Sequence, residues 1–147
     1  MQCNPAAIAI IKHYEGFSST PYKCPAGYWT YGYGNIRDAQ GERVTSDTEH
    51  ITELEGETLL LEEMAKVERQ IKALTTAELT VNQFSALCSF VWNVGSGRYK
   101  ASTLRAKLNR CDYEGASAEF PKWRRGGGKI LPGLVRRRKS ERELFDG

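Results

Sequence analysis

Residues 15–35 read EGFSSTPYKCPAGYWTYGYGN, and the change of pattern inside this stretch decides the architecture. On its N-terminal side the spacing is helical. Asn4 is a helix N-cap, Pro5 takes the first helical position and Gly16 closes the segment, which predicts a helix over residues 5–15. Ile8, Ile11 and Glu15 stand at i, i+3 and i+7 on one face, so a carboxylate ends an apolar stripe. On the other side, residues 24–44 (CPAGYWTYGYGNIRDAQGERV) are dense in glycine and aromatics with a turn at Gln40–Gly41, and they predict a small hairpin or three-stranded sheet.

Outward from that stretch the chain reads as helix. Thr52 and Glu55 form a capping box for a long helix whose Leu60, Met64, Val67, Ile71 and Leu74 line one face. A second box, Thr80 with Gln83, opens a core helix carrying Phe84, Leu87, Val91 and Val94 and stopped by Gly95-Ser96-Gly97. Short helices are expected near 102–109 and 113–120, then a Gly/Pro loop, then a basic helix over about 133–145. The expected fold class is α+β, one domain over residues 1–147. Its parts are an N-terminal lobe over about 14–52, a linking helix over about 53–73 and a helical lobe over about 74–147 that includes helix 5–15, with a cleft between the lobes.

Composition narrows the functional classes. At 147 residues, 40% hydrophobic and 27% charged, the chain has the make-up of a folded globular domain rather than a disordered one. The longest uncharged apolar stretch, residues 6–11, is too short to span a bilayer, and no basic flank precedes it as in a secretory signal. Cys3, Cys24, Cys88 and Cys111 form no CxxC pair and only two histidines accompany them, so no metal site and no cofactor are expected and the thiols are expected to be reduced. Cys88 and Cys111 read as small buried hydrophobes.

Charge is uneven. Residues 122–142 hold nine Lys or Arg against one acidic residue, Glu141, which suggests contact with an anionic polymer such as lipopolysaccharide or a membrane surface. Nucleic acid is not expected, because the basic residues lack interleaved aromatics and no reader motif is present. The long helix carries no second apolar stripe, so a monomer is expected.

Glu15 is the leading chemical candidate. Its apolar neighbours and the negative end of the helix dipole both disfavour the charged carboxylate, the condition a general acid needs. Eight residues separate it from Cys24 and five more separate Cys24 from Thr30. This spacing resembles the active-site pattern of the phage-type lysozymes, the muramidase endolysins of tailed bacteriophages: Glu, eight residues, Asp or Cys, five residues, Thr. SFVWNVGSG followed by STLRAKLN, and then GGKILPGLVRRRKSERELF, resemble the helical-lobe motifs of the same family in the same order, so the likeness covers nearly the whole chain.

The resemblance implies a lysozyme-like fold and hydrolysis of the β-1,4 bond between N-acetylmuramic acid and N-acetylglucosamine in peptidoglycan. It implies Glu15, Cys24 and Thr30 as catalytic residues and Gly34, Ile36, Trp92, Asn93 and Ser102 as substrate-binding ones. Arg137 matches the arginine that supports the catalytic glutamate, with Arg136 and Arg138 as alternatives of register. It further implies storage in the host cytoplasm, release by a holin, and action at the periplasmic cell wall, with no N-terminal membrane-anchoring segment of the kind some relatives carry.

Two positions depart from the commoner pattern. Cys24 stands where aspartate is usual, and an unperturbed thiol supplies little negative charge at neutral pH. The expected mechanism is therefore proton donation by Glu15 to the glycosidic oxygen while Cys24 and Thr30 hold the attacking water, with inversion. Asn35 replaces a common histidine after the GYG turn, and altered pH dependence of stability is expected from it. The rival readings are a Cys/His wall peptidase or amidase using Cys24 with His13 or His50 as base, and a non-catalytic basic binding module.

Overall fold

A computed structural model describes all residues from Met1 to Gly147. The chain forms two compact units, one of residues Ile11–Ala65 and the other of Met1–Ile10 with Lys66–Gly147. Both divisions fall inside helices, α1 (Pro5–Glu15) and α2 (Glu53–Leu74). The α1 bounds match the sequence expectation: Ala7 N–H donates to Asn4 Oδ1 at 3.4 Å, and Gly16, at φ +67, donates to the Lys12 carbonyl at 3.0 Å. Both halves of the Thr52/Glu55 box are made, at 2.9 and 3.2 Å.

The unit Ile11–Ala65 is built on an antiparallel hairpin of β1 (Ser18–Lys23) and β2 (Trp29–Gly32), in which Tyr22 faces Thr30 and Lys23 faces Trp29. The hairpin thus begins six residues before the expected start at Cys24, and no third strand joins it. Isolated bridges, Tyr31 with Asn35 and Arg37 with Arg43, take its place. The reason is local. Gly32 and Gly34 both have positive φ, so the chain doubles back at once instead of extending the ladder. Asn35 fastens that turn, its Oδ1 accepting from Tyr33 N–H at 3.3 Å. A small apolar cluster of Tyr31, Val44 and Leu59, with Trp29 and Ile51 packed on it, supports the hairpin.

The other unit is helical, around α3 (Val81–Val94) and α7 (Pro132–Asp146). Thr80 and Gln83 make the expected capping box for α3, whose Phe84, Leu87 and Val91 are buried. Gly95 ends α3 as expected, but Ser96 and Gly97 start a further short helix, α4 (Ser96–Lys100). Next come α5 (Thr103–Asn109), α6 (Tyr113–Glu119) and a 3-10 turn, Phe120–Lys122. Cys88 is buried on α3 as its residue type suggests, but Cys111 is exposed, because it occupies the tight turn between α5 and α6 at φ +61. The expected Gly/Pro loop contains a two-residue hairpin, β3 (Arg125–Gly126) with β4 (Lys129–Ile130). Phe90 packs edge-on against Phe120 and Trp123, and Phe120 lies tilted against Phe145, tying α3 to the 3-10 turn and that turn to α7.

The basic run is partly consumed inside this unit. Arg137 and Arg138 are buried with Glu141, which is fully buried. Arg137 Nε lies 3.2 Å from Glu141 Oε2 and Arg138 Nε 2.8 Å from Oε1, and Ser89 Oγ donates to Oε2 at 2.6 Å. A lone acidic residue in a basic stretch is thus the centre of a buried ion network.

Candidate active site

Glu15, Cys24 and Thr30 all belong to the unit Ile11–Ala65. Glu15 ends α1 half-buried, and its helix end is tied to α2 by an ion pair of Lys12 Nζ with Glu57 Oε1 at 2.9 Å. Gly34 approaches it closely: a methyl group on Gly34 would lie 2.7 Å from Glu15 Oε2 and 3.2 Å from its Cδ. Glycine is required here twice over, by that contact and by its φ of +87.

Cys24 opens the turn between β1 and β2. Its N–H donates to the Tyr28 carbonyl at 2.9 Å, and Gly27 N–H donates to the Cys24 carbonyl at 2.8 Å. This tight loop turns several donors onto the sulfur. Burial pushes the thiol up, but hydrogen bonds from the backbone N–H groups of Tyr28, Ala26 and Gly27 and from the Thr30 hydroxyl outweigh it, and the net shift is below the ordinary thiol range. Thr30, 4% exposed, has its Oγ1 3.0 Å from the Tyr28 carbonyl, so that carbonyl and the Cys24 sulfur share its one hydroxyl proton. The loop around the sulfur thus lowers the thiol pKa from that expected from residue type alone.

Tyr22 was not singled out from the sequence. Burial raises its phenol's pKa, and the negative charges of Glu15 and Cys24 raise it further. It faces Thr30 across the ladder, so the three expected catalytic residues surround one short hairpin. The signal available was the β-prone pair Thr20 and Tyr22 preceding Cys24.

Ile36 is 38% exposed beyond the Gly34 turn, where its carbonyl accepts from Val44 N–H at 2.9 Å. The other expected site residues lie in the helical unit. Trp92 is half-buried at the end of α3 and Asn93 is exposed, its Oδ1 accepting from Arg138 at 2.8 Å. Ser102 is the N-cap of α5: its Oγ donates to the Tyr99 carbonyl at 2.7 Å and accepts from Arg105 N–H at 3.0 Å, so its hydroxyl already serves the helix end. Arg137 also donates to the Ser89 carbonyl at 3.1 Å, whereas Arg136 is exposed. His13 is exposed with its ring edge-on to Tyr14, and no histidine is among the groups acting on Cys24.

A cavity of about 580 Å³ opens elsewhere in the hairpin unit, lined by Tyr31, His50, Glu55 and Glu62 among others and by none of Glu15, Cys24 or Thr30. Alternation along β2 explains the separation, because Thr30 and Tyr31 point to opposite faces.

A small antiparallel hairpin in a mostly helical α+β chain gives the lysozyme type of fold. Residues 12–141 match the family model described as phage lysozyme, and the chain belongs to that family. It is 39% identical over 150 residues to an endolysin of Acyrthosiphon pisum secondary endosymbiont phage 1, covering 99% of both chains. Its backbone matches a point mutant of P22 lysozyme with a TM-score of 0.84 at 32% identity, over 100% of this chain and 99% of the other. It matches an endolysin from Escherichia coli O157:H7 phage FAHEc1 at a TM-score of 0.86 and 29% identity, covering 99% and 93%. The chain is accordingly a glycoside hydrolase, an endolysin of the muramidase type that hydrolyses peptidoglycan.

Proposed function

We propose that the chain cleaves the β-1,4 bond between N-acetylmuramic acid and N-acetylglucosamine with Glu15 as general acid. The carrying observation is that Gly34, in the turn that follows β2, lies directly against the Glu15 carboxyl, while Thr30 on β2 pairs with Tyr22 two positions before Cys24. Glu15 gives its proton to the glycosidic oxygen as that bond breaks. Cys24 and Thr30 hold a water on the opposite sugar face, and Cys24, in its thiolate form, takes the proton of that water as the oxygen attacks the anomeric carbon. The product has inverted configuration, and proton exchange with solvent resets both groups.

Against a Cys/His peptidase stands the set of groups around the sulfur, which are backbone N–H donors and a threonine rather than an imidazole base. Digestion of purified peptidoglycan with Glu15→Gln and Cys24→Asp tests the assignment. New reducing ends should fall by about 100-fold or more in the first variant and largely survive in the second. New free amines, retained anomeric configuration or a thioglycosyl adduct on Cys24 would overturn it.

The site of action is the cell wall, reached from the host cytoplasm through a holin lesion. No helix is long and apolar enough to cross a membrane. Of the basic run Arg137 and Arg138 are buried, while Lys122, Arg124, Arg125, Lys129, Arg136 and Lys139 stay exposed, and it is this surface that would meet lipopolysaccharide or anionic lipid. Binding to anionic vesicles that is lost at high salt, by a monomeric protein, is the expected result.

A further inference from the structure

Outside the catalytic hairpin, the helical unit gathers three groups that the reaction does not use. Cys88 lies fully buried on α3, Glu68 half-buried on α2, and Cys3 half-buried in the segment before α1. Both sulfurs and a carboxylate oxygen lie within 4.8 Å of one another. We propose that Cys3, Glu68 and Cys88 form a binding site for a thiophilic divalent cation, zinc above all.

The site is held by contacts independent of any ion. Cys3 N–H donates to Glu68 Oε2 at 2.7 Å, which fixes the segment on α2. Asn4 N–H donates to Ser85 Oγ and Asn4 Nδ2 to Asn82 Oδ1, both at 2.8 Å. Ser85 stands one helical turn before Cys88 on the same face of α3, so these bonds deliver Cys3 beside the second sulfur. The three donors come from places up to 85 positions apart in the chain, which is why no CxxC-like spacing announces them.

The donor set selects the metal. Two sulfurs and one carboxylate suit zinc, whereas magnesium and calcium require a shell of oxygens. Tetrahedral zinc needs metal–sulfur and metal–oxygen distances of about 2.3 and 2.1 Å, so the ligand atoms must close to roughly 3.5–3.8 Å of one another. Side-chain rotation at the half-buried Cys3 and Glu68 supplies that closure. A water takes the fourth position on the half-exposed side formed by Cys3 and Glu68. On binding, each thiol releases its proton to solvent and no electron is transferred. The bound ion would fasten the segment before α1 to α2 and α3.

Titration of the reduced full-length protein with zinc, in competition with a chromophoric chelator, tests the site. A single equivalent should bind, magnesium should not compete, and cobalt in place of zinc should show thiolate charge-transfer absorption. Cys3→Ser should weaken binding by about tenfold or more, with Glu68→Gln and Cys88→Ala in the same direction, while Cys24→Ser should leave the stoichiometry unchanged. Cys3→Ser alters a half-exposed group outside the helices, so it serves even where Cys88→Ala folds poorly. Absence of uptake, uptake indifferent to Cys3→Ser, or a Cys3–Cys88 disulfide in a protein whose reduced form takes up no metal would overturn the proposal.

Discussion

Replacing Gly34 by alanine separates the positioning of the acid from the strain of the backbone. The added carbon would sit 2.7 Å from Glu15 Oε2, about 0.7 Å inside the 3.4 Å at which ordinary contact begins. Either the Glu15 carboxyl or the turn bearing residue 34 must move by that amount. A displacement of this size at a proton donor is expected to lower kcat/KM by about 10- to 100-fold. The residue would also carry φ +87, costing about 1–2 kcal/mol of stability. Gly41 provides the matched control, with φ +81 and nothing within 4 Å of an added methyl. Gly41→Ala should lose similar stability in a urea melt and keep its rate of release of reducing ends from peptidoglycan. If Gly34→Ala stayed within about twofold of Gly41→Ala in kcat/KM, the Gly34 contact would not position the acid and the reasoning would fail.

Alkylation of Cys24, followed by peptide mapping across pH, should give a midpoint below the ordinary thiol value of about 8.5, and Thr30→Val should move it upward by removing a donor. An unmoved midpoint would exclude the Thr30 hydrogen bond. The Lys122 hydrogen bond, opposed by burial and assisted by Lys107, holds the Glu119 carboxyl below its usual range. Because the folded-state value is depressed, this group's stabilisation is complete above its unfolded value of about 4.3 and is lost as pH falls through the lower folded value. Glu119→Gln should therefore flatten the acid limb of the stability profile, and an unchanged limb would refute the assignment. Glu141→Ala should lower urea-melt stability by about 3–5 kcal/mol, because it removes the carboxylate that both buried guanidinium groups face. A loss below about 1 kcal/mol would mean that the network is dispensable.

The readings that survived from the sequence rest on short-range physics. The α1 bounds and the two capping boxes follow from a few consecutive residues, and the apolar stripe of α2 follows from its period. The spacing from Glu15 through Cys24 to Thr30 is equally local, and the structure places all three within one hairpin and the helix end before it. β1 escaped because Pro21 and its serines weaken the strand pattern, and its pairing is supplied by Trp29–Gly32 rather than by its own residues.

Periodicity tells which side chains turn inward but not which others they meet. Glu141 looked like one acid in a basic run, yet folding makes it the centre of a network reaching Ser89 across 52 positions. The hold of Gly34 on Glu15, the effect of the Cys24 loop on its thiol and the meeting of Cys3, Glu68 and Cys88 likewise depend on backbone paths and distances in space. Sequence alone determined the longer helices, one strand of the hairpin and the order of the candidate reactive residues, because local propensity and spacing encode them. Tertiary structure decided the charge states and the partners, because electrostatic energy depends on burial and separation, which only the folded chain defines.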